Sequence, residues 1–259
     1  MGDYLDLGGQ QIYYEEYGAG EPLFLLHGGF VGAECWAAQV PELAKSYHVF
    51  VPERRGHGHT ADVPGPYTTE IFAAETAAVI EALVGGPAHV IGWSDGAYIA
   101  AHLGLYRPDL VNRLVLIGMC YSSDGETEAV RAMMHDPNIA DWFREEYAAT
   151  SPDGPDHFDV VFEKVMALWR NPLELPLTEF AGLAAPTLVL QGDDDGVRLD
   201  YSAALAGTIP DAQLAVIPGT GHGAPMQKPG LVNRMILDFL VPEQPERMIA
   251  MGALHDPAR

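Results

Sequence analysis

Cysteine is nearly absent: two residues in 259, Cys35 and Cys120, cannot form a disulfide framework for a chain this long. They are expected as buried thiols in a reducing compartment. Long apolar runs are missing too. Stretches such as LVLIGM (114–119) fall far short of the roughly 18 residues needed to cross a bilayer. The opening MGDYLDLGGQ has neither a basic nor an apolar segment of the secretory kind, so no signal is expected and the location reads as cytoplasmic. Positive charge is scarce. Fourteen Lys+Arg, only three of them lysine, stand against thirty-six Asp+Glu, a net charge of −22. A field of that sign disfavours nucleic-acid and membrane-surface partners. It reads as a solubilising acidic surface, with attraction of a cationic substrate as the alternative. Oligomeric state leaves no trace in the sequence.

What is present is an ordinary globular balance, 48% hydrophobic and 19% charged. A chain of this size buries about 70–75% of its unfolded surface, enough for one large α/β domain without metal or disulfide staples. Short strand-like runs alternate with helical ones, which is the α/β pattern. YLDL (4–7) and QIYYEEY (11–17) form an expected hairpin turned by Gly8-Gly9. PLFLLHGG (22–29), HVFVP (48–52), AHVIG (88–92), RLVLIG (113–118), PTLVLQG (186–192) and QLAVIP (213–218) complete eight strands. Helices are expected at 37–44, 69–84, 97–106, 201–209 and 229–240. In the second of these, Ile71, Ala74, Ala78 and Leu83 fall near one face at helical spacing. A short helix and a frayed end are expected after Pro242.

Residues 120–183 break the alternation. They hold helical pieces divided by prolines and no β-like run, so they read as a helical insertion over a core of 1–119 and 184–259. Most of their large side chains must pack together as the insertion's own core. Met133, Trp142, Phe143, Phe162 and Trp169, with Trp93 from the core, are the candidates for an apolar pocket.

The strongest local signal is GWSDG (92–96), between a buried strand and a helical run. A serine forced into so tight a turn projects its oxygen from the sheet, and only residues without Cβ let strand and helix come that close. By chance alone the pattern arises in about 0.07 of chains with this many glycines and serines. A lone serine needs a base and an orienting acid. GDDDGV (192–197) and GTGH (219–222) each follow a strand, giving the order Ser94, Asp195, His222. Three adjacent aspartates compete for the acid role. The spacing from Gly192 to Val197 selects Asp195 and leaves Asp193 and Asp194 for capping or solvent. HGGF (27–30) supplies the remaining piece, an oxyanion hole built from the N–H of Asp95 and that of Gly29, or else Phe30. His27 is expected to brace that loop and not to move protons.

Two other signals point to no further chemistry. His57 and His59 lack the partners of a metal motif and read as a turn, so no metal ligand is expected. The glycine-rich stretches match no nucleotide loop, and no cofactor is expected.

Together HGGF, RRGHG (54–58), GWSDG, GDDDGV and GTGH resemble the α/β-hydrolase superfamily over the full length of the chain. The resemblance is greatest to compact members with a helical cap: esterases, lactonases, cofactor-free haloperoxidases and carbon–carbon bond hydrolases. It implies an α/β-hydrolase fold, a mostly parallel eight-stranded sheet with helices on both faces and a helical cap. It also implies hydrolysis of a small or medium hydrophobic ester or lactone through Ser94, His222 and Asp195. Amide, amino-ester or carbon–carbon hydrolysis, perhydrolysis, and a slow-turnover ligand receptor stay open as alternatives. The elbow is similar to that of biphenyl-hydrolase-like proteins, which include valacyclovir hydrolase. That likeness implies a second role for Asp95, holding a substrate amino group. Two departures, Ala97 where glycine is common and Glu53 where aspartate is common, leave the subfamily open.

Overall fold

The computed structural model describes residues 2–172 and 174–241. The first two strands, β1 (Gly2–Leu7) and β2 (Gln10–Gly18), make the expected hairpin, and both glycines at its turn take positive φ. Six more follow: β3 (Glu21–Leu26), β4 (Tyr47–Pro52), β5 (Ala88–Trp93), β6 (Val111–Ile117), β7 (Thr187–Gly192) and β8 (Ala212–Ile217). They form one sheet in the order β1-β2-β4-β3-β5-β6-β7-β8, antiparallel as far as β4 and parallel from there on. Each expected strand forms, lengthened or trimmed by a few residues.

The central strands are apolar without interruption because both their faces are covered. Leu23, Leu25, Ile91, Val115 and Ile117 point to one side, where α1 (Val40–Leu43) and α9 (Pro229–Leu240) pack. Phe24, Leu26, Val90, Leu114 and Leu116 point to the other, against α2 (Thr69–Leu83) and α3 (Asp95–Tyr106). The remaining core helices are α7 (Leu199–Thr208) and α8 (Ala224–Gln227); between β6 and β7 come α4 (Glu128–Met133), α5 (Asp141–Thr150) and α6 (Phe158–Arg170). Thr68 caps α2, its hydroxyl accepting from the Ile71 N–H at 3.2 Å.

The buried face of α2 differs from the one expected. Phe72, Ala73, Thr76, Ala77, Val79 and Ile80 are buried, whereas Ala74 is exposed and Ile71, Ala78 and Leu83 lie half-buried. Alanines carry little information about a helix's facing, and the larger Phe72 and Ile80 decide it. Cys35 and Cys120 are buried and unpaired, and burial pushes both thiols up, that of Cys120 to about 11. Among the described residues no helix is long and apolar enough to cross a membrane. The helix expected after Pro242 lies outside the described residues.

Candidate active site

The turn from β5 into α3 is as tight as the sequence implies. Ser94 sits between them at φ 55° and ψ −121°, a conformation that a side chain rarely adopts. Its N–H is tied to the Ile117 carbonyl of β6 at 2.9 Å. A Cβ on Gly92 would come within 2.1 Å of the Gly96 carbonyl oxygen, and one on Gly96 within 2.0 Å of the Leu26 oxygen. Both glycines are required by close approach of backbone to backbone. Phe30 (φ 60°), on the loop after β3, is the other non-glycine residue with positive φ among the described residues. Strain of this kind collects at sites whose surroundings hold it in place.

The structure brings Ser94, His222 and Asp195 together. The Ser94 hydroxyl lies 2.9 Å from His222 Nε2, and His222 Nδ1 lies 2.8 Å from Asp195 Oδ1. A carboxylate can only accept, so Nδ1 carries the proton, and Nε2 is left to accept from the serine. Asp195 is sealed, its side chain 1% exposed, and takes further bonds from the Gly192 and Val197 N–H groups at 3.4 and 3.3 Å. The His222 ring stays 42% exposed at the mouth of a cavity. Two supports escape sequence reasoning. Asp193 accepts from the Thr220 N–H at 3.1 Å, joining the acid's turn to the histidine's loop, while the Trp93 indole donates to the His222 carbonyl at 2.8 Å. Asp194 is exposed.

Gly29 and Phe30 lie on a loop passing directly over the elbow: a Cβ on Gly28 would stand 3.4 Å from that of Ser94, and one on Gly29 2.8 Å from Asp95 Oδ2. Asp95 opens α3, where backbone N–H groups have no intrahelical partner. The loop is held by Arg54, whose guanidinium donates to the carbonyls of His27 and Gly28, each at 2.6 Å. His27 itself donates from Nδ1 to the Gly28 carbonyl at 2.8 Å and accepts from the Arg54 N–H at 3.2 Å. Burial first, then the Arg54 charge, holds the His27 and His57 rings far below the usual imidazole value, so both are neutral near pH 7. His57 Nδ1 meets the Arg55 carbonyl at 3.0 Å and His59 Nδ1 meets Glu53 at 3.2 Å.

A cavity of about 310 Å³ opens above Ser94 and His222, at the small end of ligand pockets. Trp93, Met133, Phe143 and Trp169 line it, as expected. Two candidates do not. Trp142 lies on the outer face of α5, 56% exposed, because that helix buries only Tyr147. Phe162 turns instead into an aromatic cluster with Phe30 and Phe158, ring centroids 5.6 Å from each. Phe30 also joins that cluster, stacked on Phe143 at 4.3 Å, so the loop beside the elbow is packed onto the insertion.

A model of the alpha/beta hydrolase family matches residues 23–235. The chain belongs to the alpha/beta hydrolase family. It is 29% identical over 248 residues to a 2-hydroxymuconate semialdehyde hydrolase of Pseudomonas sp. (strain CF600), covering 86% of this chain and 88% of the relative. A non-heme haloperoxidase of Rhodococcus erythropolis is 27% identical over 265 residues, covering 90% and 96%. Among solved structures, a meta-cleavage product hydrolase from Pseudomonas fluorescens IP01 superposes with a TM-score of 0.79 at 26% identity, covering 92% of this chain and 97% of that one.

Within this α/β hydrolase, the cavity residues that sequence reasoning missed include Tyr98 and Ile99 on α3, Val130 and Met134 around α4, and Glu126 before it. Helical spacing from the elbow could have pointed to Tyr98, one turn beyond Ser94. Nothing in the sequence marks Glu126, which a single bridge to Val197 places beside the acid's turn.

Proposed function

We propose that the protein is a serine hydrolase that cleaves a small or medium hydrophobic carboxylic ester or lactone through an acyl-enzyme. The observation that carries this reading is the hydrogen-bonded chain Ser94–His222–Asp195 at the floor of a confined, mainly apolar cavity. His222 removes the proton from Ser94 as its oxygen attacks the carbonyl, while Asp195 fixes the imidazole tautomer and offsets its developing charge. The tetrahedral oxyanion is met by the Asp95 N–H and by that of Gly29, or else Phe30, donors worth about 3–4 kcal/mol each to the transition state. His222 then protonates the leaving alkoxide and activates a water that releases the acid. Residues 120–183 act as a helical cap that bounds the acyl pocket. No step calls for a metal or cofactor.

A series of nitrophenyl esters of increasing acyl length tests this, with mass spectrometry of the quenched enzyme. Rapid turnover with a short-to-medium optimum and an acyl adduct on Ser94 is the expected result. No turnover of any ester or lactone would remove the reading and favour the slow receptor. A second reading, carbon–carbon hydrolysis on the same triad, is supported by likeness to the semialdehyde and meta-cleavage product hydrolases. Faster turnover of a vinylogous diketone than of every ester would select it.

A further inference from the structure

Among the described residues two carboxylates line the cavity, Asp95 and Glu126, and no lysine or arginine does. They are not equivalent. Asp95 is already engaged: the Trp169 indole N–H donates to its two oxygens at 3.0 and 3.1 Å, and the buried Arg54 guanidinium stands 3.5 Å away. Glu126 is acted on by burial and by the charges of Arg131 and Glu174, and its carboxylate accepts no hydrogen bond among the described residues. Arg131 is exposed and directs its guanidinium at the Ser123 and Asp124 carbonyls, 3.3 and 3.5 Å away. Glu174 takes up the Ser123 hydroxyl.

Glu126 is nonetheless fixed in place. It bridges to Val197, the Thr127 N–H donates to the Gly196 carbonyl at 2.9 Å, and the Arg198 N–H donates to the Gly125 carbonyl at 2.8 Å. This short strap fastens the start of the insertion to the turn that carries Asp195. The negative charge of Glu126 is felt by the Tyr98 hydroxyl and the Cys120 thiol, both on the cavity wall. Glu126 is half-buried, so its carboxylate loses part of its hydration, and a donor in the cavity would replace what is lost. Burial accordingly pushes the Glu126 carboxyl up.

Building on the serine-hydrolase reading, we propose that Glu126 is a specificity-determining residue of the cavity, receiving an ammonium group carried by the substrate. The substrate class is then an ester or lactone bearing a basic nitrogen on its acyl part, and carboxylate-bearing analogues are rejected. An ammonium supplies three donors to a carboxylate that has none, whereas a second carboxylate would meet Glu126 with no cation on the wall to offset it. The net charge of −22 likewise favours approach of a cationic ligand.

Nitrophenyl heptanoate, aminohexanoate and hemiadipate are matched in chain length and differ in terminal charge. The expected result is a preference of about ten-fold or more in kcat/KM for aminohexanoate over hemiadipate, the size of a hydrogen bond to a charged group. Glu126→Gln should bring that ratio close to one, mainly through KM, and Glu126→Asp should keep part of it. A ratio near one in the unaltered protein, or one that survives Glu126→Gln, overturns the proposal. Calorimetry of aminohexanamide and heptanamide on Ser94→Ala, with and without Glu126→Gln, tests the same point without chemistry. Tighter binding of the amine, lost with Gln, is expected, and equal binding overturns it. A failed hydrolase reading would show itself separately, as absent nitrophenol release while the binding arm still decides the role of Glu126.

Discussion

The floor and the roof of the cavity are built to different tolerances. The floor is the C-terminal edge of the sheet, where Ser94, Asp195 and His222 stand on three loops cross-braced by hydrogen bonds and by glycines that admit no Cβ. The roof is the insertion, and it is uneven. Helix α6 buries Phe158, Val161, Val165, Met166 and Leu168, whereas α4, which supplies Val130 and Met133 to the cavity, buries no residue at all. Acyl transfer needs reacting groups held to a fraction of an ångström, while an apolar wall needs only shape and can be lined with adaptable methionines. The same fold can therefore keep its chemistry and change its substrate through the roof.

Changes in the floor should be severe. Ser94→Ala is expected to lower ester turnover by about 10⁴-fold or more, with circular dichroism and Tm little altered, as measured by steady-state kinetics and thermal melts. Arg54→Met comes next. It strips the His27 and Gly28 carbonyls and the Asp95 carboxylate of a buried partner, a loss of about 3–5 kcal/mol in urea unfolding. If a roof substitution at Met133 reached either magnitude, the contrast between the two parts would be broken.

The tie between floor and roof lies between these extremes. Asp62, before α2, accepts from Lys164 on α6 at 2.6 Å, from the Tyr67 hydroxyl at 2.6 Å and from His157 at 2.9 Å. Burial alone would raise its carboxyl, but those bonds outweigh burial and hold it below the ordinary carboxylate value. Its contribution to stability is therefore present above about pH 4 and lost as pH falls through the depressed folded value. Asp62→Asn should cost about 1–3 kcal/mol near pH 7, and the gap from the unaltered protein should close in unfolding titrations below pH 4. Met133→Ala should have the smallest effect on stability, under about 1 kcal/mol, since the side chain is only half-buried. It should shift the preferred acyl length upward in the nitrophenyl ester series.

The same division governs what could be read from the sequence. Strands covered on both faces spell themselves out as apolar runs, and the floor's residues follow strand ends at short, fixed offsets, so Ser94, Asp195 and His222 were all legible. The facing of α2 was misjudged because alanine reports weakly on burial. In the roof, side chains reach the cavity through contacts made far away in the chain. Trp142 and Phe162 look equivalent to Phe143 and Trp169 by composition; Trp142 faces solvent, and of the other three, all packed on Phe30, only Phe143 and Trp169 also reach the cavity. For Asp95 the resemblance implies a substrate-holding role, and its contacts with the Trp169 indole and with Arg54 leave no trace in the sequence. The supporting groups Asp193, Trp93 and Arg54 stand inside the quoted motifs, but each braces backbone atoms of another loop, a role that no spacing marks.

The central claim, that Ser94 is the activated nucleophile of a working hydrolase, is met most directly by fluorophosphonate labelling with peptide mapping, run beside nitrophenyl ester turnover. Stoichiometric label on Ser94, blocked turnover after labelling and loss of label in His222→Ala are predicted. Label elsewhere, or none on a protein shown to be folded, would contradict the account.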